Sequence, residues 1–438
     1  MTEQHALSQN LLQFIRQCPD AFHTVETIAS RLKEQGYQSL SEGAMWQVQP
    51  GKAYFVTRNQ SSLIAFRIPT EPIKSIMITA SHGDAPCFKI KPSPDICENG
   101  YRKLNTEPYG GMIAESWFDR PLSISGRVLA ETPTGIRSLL LHINRDLLSI
   151  PNLAPHLKSS ADKERSINPQ TDLLPLLGQA GEKSFWDMIG EELALPPSRI
   201  LDADLFLHCR QWGSIWGEQE EFISSPRLDD LLCVYAGLEG FLEGNHPEVL
   251  PVFAVFDNEE VGSGTKQGAK STFLSDILSR ISDSLGISHS AYCSVLHNSF
   301  LLSCDNGHGV HPNRSEKSDP TNRPLLNGGV LLKYNANQKY TTDGVSGAMV
   351  RQICNHAGVP VQTYVNRSDI PGGSTLGNLA CEKVSVNSAD IGVSQLSMHS
   401  AWETAGTKDV LSLKKAIHAF YHTAITGHGD GCFDLDMK

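Results

Sequence analysis

Residues 249–263 read VLPVFAVFDNEEVGS. An apolar run of this length suits a buried strand and is far too short to cross a membrane. It leads straight into Asp257, Glu259 and Glu260. A strand apolar at every position is covered on both faces, as in the parallel sheet of an α/β fold. In such sheets, ligands bind beyond the carboxyl ends of the strands. The surrounding chain repeats the pattern. Residues 75–80 (SIMITA) form a short apolar strand that runs into Ser81-His82-Gly83-Asp84. Residues 300–304 are followed by Asp305, His308 and His311, and a strand-like run at 391–396 is followed by His399. Further strands are expected at 359–365 and 384–386, with a helix over 231–243 preceded by Asp229. This alternation predicts an α/β layer fold.

Upstream, Asp20 is placed to cap an amphipathic helix over 20–36, with Phe22, Val25, Ile28, Ala29 and Leu32 on one face and Gly36 ending it. Residues 54–58 and 62–68 read as two strands joined by the turn Asn59–Ser61. The stretch from 88 to 224 has another texture, with short strand-like pieces, Pro–Gly punctuation and a single convincing helix at 183–195. It reads as an inserted β-rich domain. The division expected is 1–87 and 225–438 against 88–224. Residues 313–325 read as a polar loop, and the Gly- and Asp-rich tail 427–438 as loose.

Composition bounds the function. The chain has 438 residues, of which 40% are hydrophobic and 19% charged, which is a globular and not a disordered balance. The net charge of −11 disfavours nucleic acid and anionic membrane as partners. No apolar run is long enough to span a bilayer, and MTEQHALSQN does not read as a secretory signal. The ten cysteines form no C-x-x-C pair and read as reduced, mostly buried thiols of a cytoplasmic protein.

Taken singly, each strand-end residue has an ordinary reading. Asp229 would cap a helix, His82 would be a satisfied structural histidine, and Glu259-Glu260 would be a solvated loop. Together they point to chemistry. Two histidines and three carboxylates suit a pair of zinc ions with one carboxylate bridging. Asp229, Glu260 and Asp305 balance two divalent cations if a bridging hydroxide completes the site. Glu259 is then free to shuttle a proton, and Asp84, two residues after His82, can hold the far imidazole nitrogen.

The motifs H-G-D-A-P-C (82–87), S-P-R-L-D (225–229), D-N-E-E-V-G-S (257–263), H-G-V-H-P-N (308–313) and M-H-S (398–400) resemble the aspartyl aminopeptidase family of di-zinc metallopeptidases. W-F-D-R (117–120) and N-A-N-Q-K-Y (335–340) match as well, and the likeness runs through most of the chain in the family's order. The resemblance implies a three-layer α/β/α di-zinc peptidase domain with an inserted β-rich dimerisation and lid domain. It implies a homo-oligomer, dimers assembled into a dodecamer. By motif match, His82, Asp229, Glu260, Asp305 and His399 are the metal ligands, Asp229 bridging. Glu259 is the general base and Asp84 a second catalytic acid. His156 reaches into a neighbouring subunit's site, where it donates to the oxyanion. The expected activity is removal of the N-terminal residue from peptides, with Asp or Glu as the possible preference and Lys333 and His308 as candidate cations for it. Lys333 could equally be a surface lysine, and His308 and His311 could instead brace Asp305. The chain departs from the family pattern at Asp230, Gly372, Asn378 and Trp402. Two other readings use the same residues: a co-catalytic metal amidohydrolase acting on N-acyl amino acids, and a catalytically silent peptide-binding scaffold.

Overall fold

The computed structural model describes residues 2–159 and 166–437. Its centre is a nine-stranded sheet in the order Gln38–Leu40, Ala53–Arg58, Ser62–Arg67, Val249–Phe256, Ser75–His82, Phe300–Cys304, Asn387–Gly392, Val330–Lys333, Val361–Tyr364. The four strands in the middle, Val249–Phe256 through Asn387–Gly392, run parallel. Every residue of Val249–Phe256 and Ser75–His82 is buried, the first an unbroken apolar run and the second with Ser75, Thr79, Ser81 and His82 among its buried residues.

Side chains alternate between two cores. Phe253, Val255, Met77, Phe300, Leu302 and Cys304 face one layer of helices, which includes Leu228–Glu243 and Thr407–Tyr421. Val252, Ala254, Phe256, Ile78, Ala80 and Leu301 face the other, which includes Phe273–Ser284 and Leu376–Cys381. The result is the expected α/β/α sandwich. Truncating Phe253 to Ala would open a cavity in the first layer at a cost of about 3–5 kcal/mol.

Between the two halves of this layer structure, the chain builds a six-stranded antiparallel sheet from Cys87–Glu98, Tyr101–Tyr109, Leu122–Thr132, Gly135–His142, Leu176–Gln179 and Ile200–Cys209. It has its own core, with Phe88, Ile124, Leu205 and Leu207 packed beneath the helix Phe185–Leu193. Two later strands, Ser214–Trp216 and Phe222–Ser225, lie outside that sheet. They pair with Glu403–Gly406, and through it with Ser394–Leu396 and Gly307–His308.

Several elements differ from the sequence reading. A helix at Glu3–Gln17, capped by Thr2, packs Leu7, Leu11, Phe14 and Ile15 into the first core. Residues 384–386 are not a strand; the strand starts at Asn387. The run at 391–396 is two strands in two sheets, because the chain leaves the main sheet at Gly392 and joins the small one at Ser394. The tail is not loose: Thr423–Gly429 and Cys432–Met437 form a hairpin. All ten cysteines are free, and five of them are buried.

Candidate metal centre

Three neighbouring parallel strands end on one edge of the sheet. Val249–Phe256 delivers Asp257 to Glu260, Ser75–His82 delivers His82 and Asp84, and Phe300–Cys304 delivers Asp305. Asp229 arrives from the start of the helix Leu228–Glu243, where Arg227 is left-handed (φ 58°) and the Asp229–Asp230 peptide is cis. His399 comes from the loop after Ser394–Leu396, so it reaches the centre from the small sheet and not from the main one.

These residues meet around Asp229. Its Oδ1 lies 3.6 Å from His82 Nε2, and its Oδ2 lies 3.5 Å from His399 Nε2. Glu260 Oε2 is 3.4 Å from the same His399 nitrogen. His82 Nδ1 is 3.0 Å from the Asp84 carbonyl oxygen, which turns Nε2 toward Asp229. The sequence reading gave this job to the Asp84 carboxylate, which stands farther from Nδ1, at 3.4 Å. That carboxylate is engaged elsewhere. It accepts from the backbone N–H of Glu259 and of Glu260, each at 3.2 Å, and from the Tyr109 hydroxyl at 2.7 Å. Tyr109 belongs to the six-stranded sheet and also accepts from Asn258 Nδ2 at 2.9 Å, so the inserted sheet helps to fix the Asp257–Glu260 loop.

Packing so many acids together shifts their titration. Burial, reinforced by Asp305, Asp84 and Asp229, lifts the Glu259 carboxyl to about 8. Burial and Asp229 push Glu260 well up. Asp305 rises to about 6, mainly through burial, although the Lys333 ammonium 3.7 Å away pulls it down. Asp229 moves the other way: burial would raise it, but His399 and His82 hold it below the usual carboxylate range.

Two residues absent from the expected site stand beside it. Glu403 is 1% exposed and accepts from the backbone N–H of Asp229 at 2.9 Å and of His399 at 2.7 Å. It thereby ties together two segments far apart in sequence, and burial, then Asp229, raises its carboxyl to about 8. Asp230 sits with His82 and Asp305 in one group of candidate ligand atoms, while His82, Asp229 and Glu260 form another. No spacing rule marks Glu403. Asp230 was visible in the sequence as a departure only.

The remaining expected residues fall differently. Lys333 is not a surface lysine: it is 1% exposed, with Nζ donating to the Asn306 carbonyl at 3.0 Å. Asp305 therefore has Lys333 as its cationic neighbour. His311 is exposed, and its Nδ1 accepts from the Asn313 N–H, so it does not brace Asp305. His308 lies on the short strand Gly307–His308, its ring 6.4 Å from that of Tyr364. His156 is exposed on the turn Pro155–Leu157 and is not brought to the cluster within one chain.

The donor set fits hard-to-borderline cations. Asp229 Oδ1, Asp230 Oδ1 and Glu260 Oε1 are buried with no hydrogen-bond partner, a costly arrangement for carboxylates unless a cation meets them. An α/β/α sheet whose carboxyl edge gathers imidazoles and unsatisfied carboxylates defines a metal-dependent hydrolase.

Comparison with known proteins makes this specific. Residues 14–421 match the family described as "Aminopeptidase I zinc metalloprotease (M18)". A Clostridium acetobutylicum relative named "Probable M18 family aminopeptidase 2" is 43% identical over 432 residues, covering 96% of this chain and all of that one. The cryo-EM structure of an Ape4 and Nbr1 complex contains a chain 35% identical, with a TM-score of 0.91, covering 95% of this chain and 86% of that one. The S. cerevisiae mApe1 dodecamer is 27% identical with a TM-score of 0.80, covering 94% and 96% of the two chains. The chain belongs to the M18 family and is a zinc metalloaminopeptidase.

Proposed function

We propose that this aminopeptidase removes single N-terminal residues from peptides at the Asp229 centre, with two divalent cations held by His82, Asp229, Glu260, Asp305 and His399. The observation that carries the reading is Asp229 itself, whose two carboxylate oxygens face two different imidazoles while one of them lacks any hydrogen-bond partner. When bound, the metals polarise the scissile carbonyl and make a water nucleophilic at neutral pH. Glu259 takes the proton of the attacking water and returns it to the leaving amine. The Asp84 carboxylate positions Glu259 and Glu260 through their backbone N–H groups. Glu403 fixes Asp229 and His399 relative to one another. The substrate ammonium binds at the carboxylate-rich edge, which selects a free N-terminus over an internal amide.

His156 fits a role in a neighbouring subunit, donating to the oxyanion, because it is exposed on its own chain. Such a donor is worth about 3–4 kcal/mol. This requires a homo-oligomer. The 88–224 segment then serves as the dimerisation and lid domain of dimers that assemble into a dodecamer, a reading supported by the dodecamer that the mApe1 relative forms. Lys333 supplies the positive charge for an Asp or Glu first residue, sharing its ammonium with Asp305, and His308, which burial holds below the ordinary imidazole value, offers a neutral hydrogen-bond donor. The working compartment is the cytoplasm, a reading supported by the free cysteines. Among the described residues, no helix is long and apolar enough to cross a membrane.

Initial rates on matched peptides beginning with Asp, Glu, Leu, Lys and Ala, free and N-acetylated, test the reading with zinc present. Turnover of free N-termini only, fastest with Asp and Glu, is expected. Equal turnover of the acetylated set would replace it with an N-acyl amidohydrolase.

A further inference from the structure

Away from the metal centre, a small cavity of about 110 Å³ lies between the helix Glu3–Gln17 and the strands Ile200–Cys209 and Phe222–Ser225. Arg16, His142, His208, Arg210 and Arg227 line it, and no Asp or Glu does. That is unexpected in a chain of net charge −11.

Two of the three arginines are not paired with a carboxylate: among the described residues, neither Arg16 nor Arg227 has one within ion-pair distance. Arg227 Nε donates to the Cys18 carbonyl at 3.1 Å and Nη2 to the Ile15 carbonyl at 3.3 Å, so its contacts are neutral. Arg16 stacks on the Trp212 ring, 3.2 Å from its centroid, at the exposed rim. Arg210 alone has an acidic partner, Asp146 at 2.8 Å. His208 is 4% exposed, and its Nδ1 is buried with no hydrogen-bond partner. A buried polar atom left unmet is unfavourable, and a ligand oxygen would satisfy it. Burial, then Arg227, holds His208 well below the ordinary range, and burial, then His23, holds His142 down to about 4 against the opposing pull of Asp20.

We propose that this cavity binds a small oxyanion, a phosphate, sulfate or carboxylate group, seated against Arg227 and His208. Arg227 offers the guanidinium N–H groups that are not committed to the Ile15 and Cys18 carbonyls, and the imidazole supplies a further donor. A cavity of about 110 Å³ has room for one such group. The site does not depend on the proposed peptidase chemistry. It does adjoin it: Arg227 and His208 also line a larger cavity of about 500 Å³ that extends to Asp84 and Glu403, and Arg227 is two residues from Asp229.

The test is anomalous diffraction from crystals of the zinc-loaded protein soaked in selenate, with melting curves in selenate at constant ionic strength. A selenium peak within hydrogen-bonding distance of Arg227, with a saturable rise in melting temperature, is expected. The rise should shrink in Arg227→Lys and, at the rim, in Arg16→Gln. Displacement of the peak by phosphate or by acetate identifies which group the cavity takes. Selenate found only elsewhere, at the zinc positions included, or a rise unchanged in both variants, overturns the proposal.

Discussion

Arg227 and Asp229 are two residues apart, yet they belong to opposite electrostatic environments. Around Asp229, carboxylates outnumber imidazoles, and Glu259, Glu260 and Asp305 are all pushed upward. Around Arg227, arginines and histidines meet with no acid in the cavity wall, and His142 and His208 are pushed downward. In each place, burial and like neighbours push these titratable groups toward their neutral forms. The contrast teaches that an unbalanced buried cluster marks a missing partner of opposite sign. At one end of the S-P-R-L-D segment the proposed partner is a pair of cations, and at the other a small anion.

The sharpest way to break this contrast is to remove the cations. Stripping zinc with a chelator should abolish peptide turnover and lower the melting temperature, and added zinc should restore both; activity surviving in demonstrably metal-free protein would contradict the account. Next in size, Glu259→Gln should cut kcat by about 10²–10⁴-fold with zinc content unchanged. Glu403→Gln should weaken zinc binding by about 10–100-fold, read by competition with a chromogenic chelator, because one of two backbone N–H groups loses its charged acceptor.

A pH experiment sharpens the acid side. In the metal-free fold the Asp305 carboxyl stands near 6, above the ordinary 3.9 or so of the unfolded chain. The folded state therefore holds the extra proton between those values. Metal-free stability falls as pH rises through that window. Zinc must displace the proton, so its stabilising effect should grow from pH 5 to pH 8. Melting curves with and without zinc across this range measure it, and a zinc effect that declines with pH would be the wrong sign. The smallest effect expected is that of Tyr109→Phe, about 1 kcal/mol in stability, from losing the hydroxyl shared by Asp84 and Asn258.

The strands that carry the site were legible because they are short, largely apolar runs that end in acids or histidines. The helix Glu3–Gln17 was equally periodic, with Leu7, Leu11, Phe14 and Ile15 on one face, but only its packing against the sheet makes it part of the core. The tail misled because Gly and Asp suggest loose chain; here Asp430 and Gly431 sit in the turn of a hairpin whose last strand alternates exposed and half-buried. Glu403, the burial of Lys333 and the approach of Tyr109 from the inserted sheet are contacts between distant segments, and no local pattern encodes them. The cation-rich cavity was unreadable for the same reason: its arginines and histidines are spread from Arg16 to Arg227 and meet only in the fold.

The central claim is that one carboxylate, Asp229, serves both cations. Zinc counted per chain by elemental analysis after equilibration with limiting free zinc tests it directly. Wild type should hold two, Glu260→Gln and Asp305→Asn should each lose one, and Asp229→Asn should lose both. An Asp229→Asn protein that is folded and still holds one zinc or two would contradict a shared ligand.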